Sequence, residues 1–291
     1  MKRILTSHLS VIALLLISAS FVSAQLRLPR PSPKASVMQT IGVTDVSITY
    51  NRPAVKGRKI WGDAPADSYA KGEATLDDQN KRPPGMPIVP FGHVWRTGAN
   101  EATQFVVTDD VLINGQALAA GTYSLHTIPG KDEWTIVFNG TANQWGSFNY
   151  DPKNDTLRVK AKPATVTDNQ EMLAFSIEPT SESAAQVNIR WERLRVPFIV
   201  EVKDVSAVAL AKARIAVAAA KSNDWQTPLN AANYAKNNKS TEEASKWFDQ
   251  AIRAIDEQIA AKGDFLNLAR KTSILASAGR TQDAIATGEK A

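Results

Sequence analysis

Residues 121–138 read GTYSLHTIPGKDEWTIVF. Thr122–Ile128 and Trp134–Phe138 are rich in β-branched and aromatic residues, and the turn-forming pair Pro129-Gly130 stands between them. That combination predicts two antiparallel strands joined by a hairpin loop over Pro129–Asp132. Successive strand side chains alternate between faces, so Thr122, Ser124 and His126 share one face and Tyr123 and Leu125 the other. The same period continues outward in both directions. Further candidate strands are Ser36–Ile41, Val43–Tyr50, Ala102–Thr108, Val111–Ile113, Leu157–Ala161, Met172–Ile177, Gln186–Glu192 and Val196–Val202, and Asn114-Gly115 marks another tight turn. About ten short strands with no helical period between them point to an antiparallel β-sandwich over residues 35–203.

After Val205 the period changes. Ala becomes frequent, Gly is rare and a single Pro remains. Val205–Lys221 reads as an apolar-periodic helix. Asp224 offers an N-cap for Trp225–Lys236. Ser240 or Thr241 with Glu243 is a capping arrangement for Glu242–Ala261. Asp264 caps Phe265–Ala278, Gly279 closes it, and Thr281 starts a last helix. The chain is thus expected to be α+β: a β-sandwich followed by all-α helical hairpins over 205–291.

The first residues look like an export leader. Met1-Lys2-Arg3 is cationic, Val11–Ile17 is apolar, and Val22-Ser23-Ala24 has the small residues that signal peptidase reads. Cleavage is expected after Ala24. The alternative is a membrane anchor, but the apolar core is short and interrupted by Ser, and no other stretch reaches the ~18–20 apolar residues of a spanning helix. The expected location is periplasmic or secreted, with no membrane span. Residues 25–34, QLRLPRPSPK, read as a Pro-rich linker.

Without Lys2 and Arg3 the formal charge falls from +5 to +3, which argues against a nucleic-acid partner. The chain has no Cys, which excludes disulfides, thiolate metal sites and cysteine nucleophiles. Of the three His, His8 leaves with the leader. His93 and His126 are far apart and belong to no metal-binding spacing, so no metal and no cofactor is expected. Gly62–Pro90 breaks the strand rhythm with many Pro, Gly and charged residues. It reads either as a lid or as a disordered or surface-packed insertion.

The densest chemistry lies in Phe91–Thr103, FGHVWRTGANEAT. Trp95 can stack on a sugar or ring, Arg96 can bind a carboxylate or phosphate, and Asn100 and Glu101 can bond hydroxyls. The same residues would equally serve an internal Arg96–Glu101 ion pair closing a turn. Tyr50–Trp61 adds Arg52, Lys56, Arg58 and Lys59, either an anion contact or a solvated rim. Ser124 and His126 share a strand face, but no G-x-S-x-G elbow accompanies them. Asp109-Asp110 reads as a turn rather than as a pair of catalytic acids.

Several blocks carry a family resemblance. LPRPSPKASVMQTIGVTDVSITYNRPAVKGRKIWG, VPFGHVWRTGANEATQF, INGQALAAGTYSLHTIPGKDEWTIVFN, QWGSFNYD and DTLRVKAKP occur in order over about Leu28 to Val202. Together they resemble the domain-of-unknown-function family numbered twenty-nine eleven. The resemblance implies an exported β-rich domain of the bacterial cell envelope, and no established activity, ligand or catalytic residue. It directs attention to Arg52, Arg58, Trp95, Arg96, Gly98, Asn100, Glu101 and Trp145, and the long Gly62–Pro90 insertion is a departure from it. The C-terminal hairpins resemble tetratricopeptide repeats through the spacing of Ala244, Phe248 and Ala251, with Ala284 and Ala291 recurring 40 residues later.

The function expected is a non-catalytic binding module. Arg52, Arg58, Trp95, Arg96, Asn100, Glu101 and Trp145 would take a glycan or an anionic small ligand, and the helical repeats a partner protein. The alternatives are an envelope or carbohydrate-directed hydrolase using Glu101 or a His as acid/base, and a purely structural assembly module.

Overall fold

The computed structural model describes residues 28–63 and 85–291. Twelve strands precede five helices among them: β1 Lys34–Ile41, β2 Thr44–Asn51, β3 Trp61–Gly62, β4 Val89–Pro90, β5 Thr103–Val107, β6 Val111–Ile113, β7 Gln116–Leu118, β8 Gly121–Ile128, β9 Trp134–Asn139, β10 Asp155–Ala161, β11 Ala164–Pro179 and β12 Ala184–Glu201. They form a six-stranded sheet in the order β1-β2-β5-β8-β9-β10 and a four-stranded sheet β11-β12-β6-β7. All neighbours in both sheets are antiparallel. The short β3 and β4 pair in parallel. The expected leader at residues 1–24 and residues 64–84 of the Gly62–Pro90 excursion lie outside the described residues.

The hairpin at 121–138 has the expected form. Leu125 faces Phe138 and Ile128 faces Thr135 across β8 and β9. Gly130 is required at the turn, because a Cβ there would lie 2.2 Å from the Glu133 carbonyl oxygen.

One hydrophobic cluster joins the inward faces of the two sheets. Val46, Ile48, Phe105, Leu125 and Phe138 come from the first sheet, and Leu173, Val187, Ile189, Phe198 and Val200 from the second. Phe138 and Phe198 meet across the gap with centroids 6.0 Å apart. At one end four indoles interlock. Trp95 stacks on Trp191 at 5.8 Å, and Trp61 meets Trp95, Trp134 and Trp191 edge-on at 5.1 to 5.7 Å.

Two strands expected as separate, Gln186–Glu192 and Val196–Val202, are the single 18-residue β12. The alternation changes phase at Glu192, which has φ +55°, and the pairing with β11 shifts register around Gln170, opposite it. An irregularity of this kind inverts the inside–outside pattern without ending the strand. β3 and β4 have two residues each, too few to show a period, and β7, Gln116–Leu118, has no β-branched or aromatic residue to mark a strand.

The helices are α1 Val205–Ala219, α2 Gln226–Asn237, α3 Thr241–Ala261, α4 Phe265–Ser277 and α5 Thr281–Gly288. Their starts follow from carboxylates satisfying the free N–H groups of a first turn. Asp204 accepts from Ala207 N–H at 2.9 Å, Asp264 from Asn267 N–H at 3.0 Å, and Asp224 from Gln226 and Thr227 N–H at 3.0 and 3.1 Å. At Ser240 the bonding differs from a capping box. Its hydroxyl donates to Glu243 at 2.9 Å, and Glu243 holds Arg214 of α1 through two further bonds. Leu210 and Val217 of α1 pack on Ala231, Ala232 and Ala235 of α2 and on Trp247 and Phe248 of α3. Val205 and Val208 pack instead on the β core, and Lys212 Nζ donates to Asp109 at 2.7 Å. Among the described residues no helix is long and apolar enough to cross a membrane.

Candidate functional site

On the outer face of the six-stranded sheet, Ser36, Thr49, Gln104, Ser124 and Asn139 form one polar cross-strand row. Part of this row is covered by the connection between β9 and β10. Backbone bonds pin that connection to residues 100–102: Ala102 N–H donates to Gln144 O at 3.0 Å, and Gly146 N–H to Asn100 O at 2.9 Å. Gln144 Nε2 donates to Ser124 Oγ at 3.0 Å and to Thr141 O at 2.9 Å. Its far end is fixed by Tyr150, whose hydroxyl donates to Asp155 at 2.8 Å. Burial and then the Asp155 carboxylate push the Tyr150 phenol well above its ordinary pKa, so it stays a donor.

Between the connection and the open part of the sheet is a cleft of about 420 Å³. Lys34, Thr49, Asn51 and Gln104 supply its floor, and Glu101, Asn143, Gln144 and Trp145 its wall. Trp145 stands 55% exposed at the rim. The N-terminal segment crosses one end. Arg30 Nη1 donates to both Glu101 oxygens at 2.7 and 2.9 Å, and its guanidinium lies 5.9 Å from the Trp145 ring centroid. Asn100 Nδ2 donates to Ser32 O at 3.2 Å, and Arg52 N–H to Pro33 O at 2.9 Å.

The residues singled out from sequence divide into two groups. Glu101 and Trp145 line the cleft, and Asn100 sits beside it holding the N-terminal segment and the connection. Trp95 is buried in the indole cluster, with its Nε1 donating to Gly98 O at 3.1 Å. Arg52 Nε donates to Leu173 O at 2.8 Å, which ties β2 to β11. Arg58 Nε donates to Val55 O at 3.1 Å, within its own turn. Arg96 is half-buried at the start of the 96–101 turn, its carbonyl accepting from Thr103 N–H at 3.1 Å. Glu101 takes Arg30 and Asn51 as partners in place of the Arg96 pairing that the spacing offers.

Sequence reasoning missed Lys34, Asn51, Gln104, Asn143 and Gln144. The available signal was the run NGTANQWG over 139–146, dense in amides beside an exposed Trp. Arg30 was hidden in a segment that reads as a linker.

Burial raises the Glu101 pKa, but the Arg30 hydrogen bond, the residue's own backbone, the Arg30 charge and Asn51 together outweigh it, so the carboxyl lies below its ordinary value. A carboxylate with a lowered folded pKa contributes stability that is present above the unfolded pKa and lost as pH falls through the folded one. Glu101→Gln is therefore expected to flatten the acid limb of a stability–pH curve from the ordinary carboxylate range downward. Superimposable wild-type and variant curves from urea titrations across that range would show that the Arg30–Glu101 pair contributes nothing.

Ser124 Oγ and His126 Nδ1 are 3.4 Å apart. Both residues are fully buried beneath the connection, and the His126 ring packs 4.9 Å from Tyr150. A nucleophile placed there is shut off from any substrate in the cleft. Asp109 and Asp110 serve turns, Asp109 receiving Lys212 and Asp110 accepting from Ala120 N–H at 2.8 Å. Among the described residues no three His, Cys, Asp or Glu side chains gather as metal ligands would.

No curated protein and no solved structure matches the chain. Residues 32–200 match the family described as a protein of unknown function, DUF2911. That span runs from Ser32, just before β1, to Val200 near the end of β12 and contains every residue lining the cleft. With more than half its length inside the match, the chain belongs to the DUF2911 family.

Proposed function

We propose that the protein is an exported, non-catalytic binding module whose cleft takes a neutral glycan. The observation that carries this reading is the exposed Trp145 indole beside a cleft lined by Asn51, Gln104, Asn143 and Gln144. An indole face suits the C–H face of a sugar ring, and primary amides both donate to and accept from hydroxyls. The charge balance favours a neutral ligand over an anionic one. Lys34 is the single cation among the lining residues, and Glu101 is the single acid. Arg52, Arg58, Trp95, Arg96 and Asn100 serve the scaffold in this reading, and Glu101 and Trp145 the ligand.

A hydrolase has less support. Glu101 is held as a carboxylate by Arg30 and Asn51, which is the wrong protonation state for a general acid at neutral pH. The export assignment rests on the leader pattern of residues 1–24. The C-terminal helices are read as tetratricopeptide-like, offering a partner protein a groove, on the small–large–small spacing of Ala244, Phe248 and Ala251.

The test is a titration of the protein with neutral hexose and N-acetylhexosamine oligosaccharides, followed by amide NMR shifts. Residues 101–104 and 142–145 are expected to move, and Trp145→Ala to weaken binding about tenfold. Binding that Trp145→Ala leaves unchanged, or no binding across the panel, overturns the reading.

A further inference from the structure

The other sheet carries a second concavity of different chemistry. On the outer face of β11 and β12 lies a hollow of about 390 Å³, lined by Gln170, Ser176, Glu178, Asn188, Arg190 and Arg195 among others. We propose that it is an oxyanion site, with Arg190 and Arg195 gripping a phosphate, sulfate or carboxylate group of a small soluble ligand.

The two arginines differ from Arg52 and Arg158, which are also half-buried: Arg52 Nε donates to the Leu173 carbonyl, and Arg158 Nε to Asp155 at 2.7 Å. The Nε–H groups of Arg190 and Arg195 are buried and meet no protein acceptor, and among the described residues neither guanidinium has a carboxylate partner. A buried donor without an acceptor is costly, and a folded chain normally supplies one from protein, water or ligand. A guanidinium presents its donors as a planar fork that matches two oxygens of an oxyanion.

Their placement is built rather than incidental. Residues five apart on a regular strand point to opposite faces. Here the change of phase at Glu192, with φ +55°, puts Arg190 and Arg195 into the same hollow. The same change keeps Trp191 and Val196 both in the core. Opposite Arg190 on β11 stands Ala174, a small residue that leaves room above the guanidinium. The nearest acid on that strand face, Glu178, is four residues further along, roughly 13 Å at strand rise, and it accepts instead from Ser176 Oγ at 2.8 Å. Asn188 Nδ2, donating to Ser176 at 3.2 Å, completes a polar flank. The outer faces of two packed sheets point in opposite directions, so this site is separate from the Trp145 cleft and does not depend on it.

The experiment is isothermal titration of the protein with inorganic phosphate, sulfate and acetate at constant ionic strength, with chloride as the replaced anion. Saturable binding of at least one of them is expected, and the strongest identifies the oxyanion. Arg190→Gln and Arg195→Gln should each weaken it at least tenfold. Arg193→Gln, an exposed neighbour of the same charge, should leave it unchanged. If a Gln variant fails to fold, Arg195→Lys keeps the charge but loses the fork, and the anion should then raise the melting temperature of wild type and not of this variant. No saturable binding in wild type, equal affinity in the arginine variants, or an equal loss in Arg193→Gln overturns the proposal.

Discussion

Trp191→Ala is expected to destabilise the protein by about 3–5 kcal/mol, the usual cost of removing a fully buried large aromatic from a core. The indole is 1% exposed. It stacks on Trp95 and meets Trp61 edge-on, so its loss leaves a cavity beside two rings drawn from separate segments. Those segments cannot close over the gap together, because Trp95 is also fixed by its Nε1 bond to Gly98 O. Urea denaturation followed by far-UV circular dichroism gives the number. A loss below about 1 kcal/mol would show that the indole cluster does not organise this end of the sandwich. Trp145→Ala is the control within the same domain. With half its surface in water it should cost far less in stability while still removing the ligand face.

Gly42→Ala is expected to cost roughly 2–5 kcal/mol through two separable effects. Gly42 turns the chain between β1 and β2 with φ +61°, a region that a residue with a Cβ enters only under strain. The added Cβ would also lie 2.4 Å from Cγ1 of Val205, the first residue of α1. The helix would have to move away from the β core, carrying Lys212 off Asp109. Combining Gly42→Ala with Val205→Ala relieves the collision and leaves the strain. The double variant should therefore recover part of the loss in urea midpoint but not all of it. A single variant within about 0.5 kcal/mol of wild type would mean that α1 does not rest on this turn.

Much of the fold is legible because it is written in repeated local chemistry. The alternation in Thr122–Ile128 and Trp134–Phe138 sets which side chains face the core, and Gly130 closes the hairpin between them. Asp224 and Asp264 mark helix starts because each satisfies N–H groups only a few residues away. The break at Glu192 defeats this kind of reading. A change of phase inside one strand looks the same in sequence as the end of one strand and the start of another.

The site was legible only where one segment contributes alone. Glu101 stood out because its neighbours in the chain are polar. The 96–101 turn then separates those neighbours: Thr97 and Asn100 take φ of +51° and +57°, Trp95 faces the core and Glu101 faces the cleft. Trp145 joins Glu101 through pairing between two distant loops, and Arg30 arrives from a segment whose prolines suggest only extension. No local pattern in the sequence announces either meeting.

The parallel pairing of Trp61-Gly62 with Val89-Pro90 also bears on how this domain tolerates change. Parallel neighbours cannot be joined by a tight hairpin and need a crossover of roughly a dozen residues or more. Once that minimum is met, each doubling of the connector costs only about 0.6 kcal/mol in closure entropy. The stem thus works as a graft point. Added length between these two short strands costs little in closure entropy, provided that Met86 and Ile88, which pack on the core, are kept.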